Sequence, residues 1–259
     1  MPNPIVLDEN ERLDEINEQL RLIQKKNGLT FGTDAYLLSA FVRSAPRAHC
    51  VDLGSGTGVI PLLLCSRNKV KDCCAVEIQP EFASLIARNA ALNEMEARIS
   101  PVCADVRELR DLQSSIGHEV DVVTANPPYM RADSGARNRD DEKYIARHEV
   151  AGGIDDFCAA AARLLRSGGV FYSVWRPDRL SALMSALSRH RLEPKRMLFV
   201  HADENSEPSV VLTEARLDGA PSLKILPPLF LHSADSRAER SRPLTARAHR
   251  VYDTMELYD

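Results

Sequence analysis

No apolar run in this 259-residue chain approaches the ~20 residues that cross a bilayer, so no membrane partner is expected. Residues 1–11 are polar and acidic and lack the basic-then-apolar pattern of a secretory signal. Six cysteines occur, and none is spaced as a C-x-x-C pair, which removes the sequence support for a zinc site or a redox dithiol. Most sit in apolar segments, where a free cysteine acts as a small core residue, and all are read as reduced thiols of a cytoplasmic protein, with no metal expected. Excess positive charge is missing too. The 33 basic residues are outnumbered by 37 acidic ones, giving a net charge of -4. A nucleic-acid ligand would therefore need a local basic face, because phosphate contacts rely on Lys and Arg. No internal repeat, low-complexity tract or long linker interrupts the chain.

What the chain does contain is alternation. Short β-like runs at 49–53, 72–78, 99–103, 120–125 and 169–175 are separated by helical stretches at 59–67, 80–93, 107–116 and 154–165. Strand–helix alternation of this kind predicts an α/β doubly wound, Rossmann-like sheet with parallel strands. Gly168-Gly169 is expected to end the fourth of these helices. A helix at 178–190 and two β-like runs, 193–201 and 210–217, then predict an antiparallel hairpin, for seven strands in all. Leu13, Ile16, Leu20 and Ile23 fall near helical spacing, so residues 9–24 are expected to form an amphipathic helix. A turn at 25–32 follows, and Thr33-Asp34 are expected to cap a helix over 35–43. Three segments result: 1–47, a helix and hairpin over the cleft; 48–231, the sheet domain; and 232–259, an arginine-rich loop-like tail.

Two motifs carry chemistry. Asp52-Leu53-Gly54-Ser55-Gly56-Thr57-Gly58 places three glycines between a strand and a helix. The G-x-G-x-G spacing differs from the dinucleotide fingerprint G-x-G-x-x-G, and the turn lacks the lysine of a phosphate-binding loop. Beyond it, Glu77 follows the second strand, where an acidic residue can accept both hydroxyls of a ribose. Asp105 follows the third, placed to accept from an adenine amino group. Ligands of open α/β sheets bind outside the carboxyl ends of the strands, so Asp52, Glu77, Asp105 and Asn126 should face one crevice.

The second motif, Asn126-Pro127-Pro128-Tyr129, ends the fourth strand. Two prolines fix φ and remove two N–H donors, leaving a stiff segment that presents acceptors. An aromatic amino group is a poor nucleophile because its lone pair is delocalised into the ring. The Asn126 side-chain oxygen and the Pro127 carbonyl can each accept one amino hydrogen, favouring the positive charge that develops when the nitrogen attacks a methyl sulfonium. Tyr129 can stack on the substrate ring.

With these residues in place, the chain resembles the class I methyltransferases that carry an Asn-Pro-Pro-Tyr motif. Within them it is most similar to the bacterial enzymes that methylate the amino nitrogen of an adenosine beside the anticodon of valine tRNA. The likeness spans roughly residues 20–230 and rests on LIQKKNGLTFGTDAYLLSAF, VDLGSGTGVIPLLL, Glu77, and NPPY followed by a charged loop reaching ARHE. It implies S-adenosylmethionine as cofactor and an RNA substrate, with tRNA the nearest class. By the same resemblance Asp52, Gly54, Gly56 and Gly58 line the methionine side of the cofactor. Glu77 with Ile78 takes the ribose, and Asp105 with Val106 the adenine. Thr33 and Asp34 close over it, Asn126 also borders it, and Asn126 to Tyr129 hold the target base. RNA contacts are sought in the loop 130–149, in Lys25 and Lys26, and in the 237–250 tail; a monomer is expected. Rival readings stay open: methylation of a release-factor glutamine or of a ribosomal guanine, a nicotinamide-dependent dehydrogenase, and a non-catalytic nucleotide-binding module.

Overall fold

The computed structural model describes residues 6–26, 32–127, 152–233 and 242–257. Two strands, β1 (Glu11–Glu15) and β2 (Arg21–Lys25), precede helix α1 (Thr33–Phe41). The alternating core follows: β3 (His49–Leu53), α2 (Val59–Ser66), β4 (Asp72–Glu77), α3 (Pro80–Leu92), β5 (Ile99–Cys103), α4 (Leu109–Ile116) and β6 (Val120–Ala125). Next come α5 (Ile154–Leu164), β7 (Leu165–Trp175), a 3-10 turn (Pro177–Arg179) and α6 (Leu180–Arg189). The chain ends with β8 (Leu192–His201), β9 (Pro208–Leu217), β10 (Lys224–Ile225), β11 (Leu229–Phe230) and α7 (Ala246–Thr254).

The main sheet has nine strands in the order β10-β8-β9-β7-β6-β3-β4-β5, with β11 alongside β8. β7, β6, β3, β4 and β5 are mutually parallel, and β9 lies antiparallel between β7 and β8. This is the expected Rossmann-like sheet with its C-terminal hairpin; the two-residue strands β10 and β11 raise the count above seven. Helices cover both faces, so the central strands are buried throughout: Cys50, Val51, Asp52 and Leu53 are all inaccessible. One core gathers Cys50, Ala75, Val122 and Tyr172 with α1, α2, α3 and α7. The other gathers Val51, Val76, Val123 and Phe171 with α4, α5 and α6. No described helix is long and apolar enough to cross a membrane. Cys50, Cys65, Cys73 and Cys158 are buried, and burial pushes the Cys65 and Cys158 thiols up to about 12.

Four expectations are corrected. Residues 9–24 form a β-hairpin, not an amphipathic helix. Leu22 is fully buried although it falls off the helical stripe, whereas Leu13 on the stripe is half-buried. The Asn17 side chain turns the chain by accepting the Gln19 and Leu20 N–H groups. The free edge of β2 is then paired by side chains of α3. Asn89 accepts from Ile23 N (2.7 Å) and donates to Ile23 O (3.1 Å), and Asn93 does the same to Arg21 (3.0 and 2.8 Å). Asparagines one helical turn apart thus stand in for a neighbouring strand.

The cap of α1 is Gly32, with Thr33 and Asp34 already inside the helix and no side-chain capping bond. The helix ends at Phe41, where the buried Lys69 ammonium donates to Ser39 O, Ala40 O and Val42 O at 2.7–3.0 Å. The third correction concerns Gly168-Gly169. α5 stops at Leu164, and both glycines lie inside β7, where the register against β6 shifts. Finally, the described end of the 232–259 segment is a packed helix. Thr245 caps α7, Val251, Met255 and Leu257 enter the core, and Tyr252 meets Tyr36 at 5.2 Å.

Candidate functional site

β6, β3, β4 and β5 are neighbours and parallel, so Ala125, Leu53, Glu77 and Cys103 end four strands at one edge of the sheet. The glycine turn leaves β3 there. Gly58, at φ +84°, is the residue before α2, and an added Cβ would stand 3.3 Å from Ile86 of α3. Gly56, at φ +56°, has nothing within 4 Å of the position a Cβ would take, so that side of the backbone faces open space. The turn is held from below by Ser55 N–H donating to Val76 O at 2.9 Å. From the side, Asn89 of α3 donates to Thr57 O at 2.9 Å while gripping β2, so one buried amide ties the N-terminal hairpin to the glycine turn.

Glu77 is buried, and its carboxylate is already used. One oxygen accepts Gly56 N–H at 2.9 Å and the other Gln79 N–H at 3.0 Å. Asp52 lies deeper and is fully buried, accepting from Ser55 Oγ and Thr124 Oγ1, each at 2.6 Å. Burial pushes the Asp52 carboxyl up to about 7; the two hydroxyls pull the other way, and the Glu77 charge adds to the rise. The folded state therefore holds a proton that an unfolded chain releases near the ordinary value of 3.8. This contribution to stability is complete below that value and is lost as pH rises through about 7. Relative to Asp52→Asn, the wild-type chain should lose stability between those limits by at most about 1.4 kcal/mol per pH unit. Thermal unfolding of both proteins across that range checks it, and parallel curves reject it.

Asp105 is half-buried after β5, but Arg107 occupies its carboxylate: Nε and Nη2 donate at 2.5–3.0 Å, as does the Arg107 N–H at 2.9 Å. That pairing holds Asp105 below the usual carboxylate range. Val106 turns into the second core and Ile78 is half-buried beside Glu77. Asn126 is half-buried at the end of β6 and Pro127 is buried; among the described residues no hydrogen bond engages the Asn126 side chain. Pro128, Tyr129 and the 130–149 loop lie outside the described residues. Thr33 and Asp34 sit at the start of α1, which packs on α2, and burial raises the Asp34 carboxyl.

Asp52, Gly56, Glu77, Asp105 and Asn126 thus share one edge, as their positions after consecutive strands require. Ser55, Thr124, Asn89 and Arg107 belong to the same cluster and were not singled out from the sequence. Ser55, inside the glycine motif and three residues from Asp52, and Arg107, two residues from Asp105, had a local signal; Thr124 and Asn89 had none. Among the described residues no group of three His, Cys, Asp or Glu side chains is arranged to hold a metal.

Residues 25–191 match the family model described as the methyltransferase small domain. A tRNA1(Val) (adenine(37)-N6)-methyltransferase of Porphyromonas gingivalis is 31% identical over 190 residues, which is 71% of this chain and 73% of the relative. Among solved structures, a predicted O-methyltransferase, protein Atu636 from Agrobacterium tumefaciens, superposes with a TM-score of 0.69 at 21% identity, covering 87% of this chain and 98% of that one. M. jannaschii TYW2 in complex with AdoMet superposes at 0.53 with 14% identity, over 82% and 88% of the two chains. These two likenesses concern the fold.

Proposed function

Because the chain belongs to the methyltransferase small-domain family, we propose that it transfers a methyl group from S-adenosylmethionine to the exocyclic amino nitrogen of an adenine in tRNA. The observation that carries this reading is the pairing, on adjacent strands β6, β3 and β4, of an open glycine turn and buried Glu77 with Asn126, whose side chain makes no hydrogen bond among the described residues, followed by Pro127. The relative from P. gingivalis bears the same activity in its name.

The residues present fit the cofactor. Gly56 leaves room for close backbone approach, and Glu77, fixed by Gly56 and Gln79, has lone pairs left for ribose hydroxyls. Asp105 can serve the adenine only while shared with Arg107, which makes Arg107 part of that wall. Bound there, S-adenosylmethionine supplies an electrophilic methyl group. The chain's own task is then to orient the target nitrogen and favour its lone pair. Asn126 Oδ1 and the Pro127 carbonyl accept the two amino hydrogens, aligning the lone pair and lowering the energy of the cationic nitrogen that forms. Tyr129 stacks on the base. No side-chain base is needed, because the cationic nitrogen is strongly acidic and loses its proton to water. We place the enzyme in the cytoplasm, where tRNA is.

Glu77→Ala should weaken cofactor binding by about 10- to 100-fold, the value of charge-assisted hydrogen bonds to a buried group. Isothermal titration with S-adenosylmethionine checks it, and an unchanged Kd removes the ribose contact. The activity itself is tested by incubating the protein with methyl-labelled S-adenosylmethionine and an unmodified valine tRNA transcript, then digesting to nucleosides. N6-methyladenosine is the expected labelled product. Label in guanosine, or in a release-factor glutamine with none in RNA, overturns the reading.

A further inference from the structure

A second concave surface lies away from the crevice, on the face of the sheet that α1 covers. It is a groove of about 710 Å³ where β8, β9 and β10 meet the connection after α1. Five cationic side chains line it, Arg43, Lys195, Arg196, Arg216 and Lys224, against the single carboxylate of Glu214. Arg196 neutralises that carboxylate in a buried pair, donating through Nε at 2.6 Å. The other four therefore leave a local surplus of positive charge in a chain whose net charge is -4.

We propose that this groove binds the phosphodiester backbone of the RNA whose adenine occupies the crevice; the inference rests on the function proposed above. Three features favour a polyanion over a small anion. The cations come from three neighbouring strands or their ends, β10, β8 and β9, and from the connection after α1. Arg43, Arg216 and Lys224 are exposed. Among the described residues Arg216 and Lys224 form no ion pair, although Glu193 is the cross-strand neighbour of Arg216. Lys195 is held in position by Ala220 O and by Ser222 Oγ at 3.1 Å.

The distance suits a single helical stem. Arg216 pairs with Val170, and Val170 with Val122, four residues before Asn126 on β6. At ~3.3 Å per residue along a strand and ~4.8 Å between strands, the groove lies on the order of 15–20 Å from Asn126. A duplex covers that length in about five base pairs. RNA anchored here would be held in register without any base being read, which is what phosphate contacts do.

The test is the double variant Arg216→Gln/Lys224→Gln, whose lost groups make no hydrogen bond or ion pair among the described residues. Binding of the valine tRNA transcript is followed by fluorescence anisotropy across a salt series, with methylation kinetics alongside. The variant should bind about tenfold more weakly near ~0.1 M salt, and the slope of log K against log salt should fall by about 1.5. KM for RNA should rise by a similar factor, with kcat at saturating RNA and S-adenosylmethionine affinity unchanged. A salt slope and KM equal to wild type overturn the groove while leaving the function intact. Wild-type protein that neither binds nor methylates RNA overturns the function, and the groove with it. Stronger retention of the wild type on anionic lipid vesicles than on the transcript overturns it in favour of a membrane surface.

Discussion

Replacing Asn126 by alanine is expected to cut kcat by about 10²- to 10³-fold, the usual cost of deleting one preorganised group aimed at developing charge. Affinity for S-adenosylmethionine should stay within about twofold. The split follows from where the side chain stands. Asn126 ends β6, whereas the groups proposed to hold the cofactor end β3, β4 and β5. Its amide makes no hydrogen bond among the described residues, so removing it should not disturb the sheet. Asn126→Asp is the sharper companion. A carboxylate also accepts hydrogen bonds, so the variant should recover part of the lost rate, whereas a purely structural asparagine would show no such preference over alanine. Single-turnover methylation with calorimetric measurement of cofactor binding separates the outcomes. Full turnover by Asn126→Ala would falsify the acceptor role, and a parallel collapse of cofactor binding would move Asn126 to the cofactor wall.

The elements that position this site were readable because their signals are local. A strand covered on both faces is a short apolar run, a glycine turn needs its glycines, and the next acidic residue falls at the end of the next strand. That logic placed Asp52, Gly56, Glu77 and Asn126 on one edge. Asn89 shows where it stops. Nothing in PEFASLIARNAAL says that this asparagine pairs with the backbone of Ile23, 66 residues earlier, and with the glycine turn. The same partner bears on the failed helix at 9–24: β2 pairs with β1 along one edge, but its other edge is closed by asparagine side chains that lie 66 and 72 residues further on, which no local pattern announces. Thr124 was hidden differently, as a β-former inside a strand whose hydroxyl matters only because Asp52 is buried beside it. The 232–259 segment looked solvated because it is rich in arginine, yet in its described end Val251, Met255 and Leu257 enter the core. Arg67 then donates to Asp253 O and Arg247 to Pro228 O, so part of its polarity is spent on the fold.

Arg196→Met should destabilise the protein by about 3–5 kcal/mol, the usual cost of removing one partner of a buried ion pair. Arg196 is 7% and Glu214 5% exposed, so the guanidinium and the carboxylate have almost no water to fall back on. Arg196 also donates to Phe41 O at 3.0 Å, at the end of α1, and stacks its guanidinium 4.5 Å from the Phe41 ring centre. Methionine keeps much of the apolar stem but strands a buried carboxylate, whose remaining cation is the largely exposed Arg43 at 3.5 Å. The cost comes from the orphaned charge rather than from a large intrinsic value of the pair. The double variant Arg196→Met/Glu214→Leu should therefore recover most of the loss. Denaturant unfolding of the two single variants, the double and the wild type makes the cycle. Equal destabilisation in Arg196→Met and in the double would mean that the Phe41 contacts, not the ion pair, hold α1 against the sheet. It is also why the groove is better probed through Arg216 and Lys224: loss of RNA binding in an Arg196 variant would report a loosened α1 as readily as a missing phosphate contact.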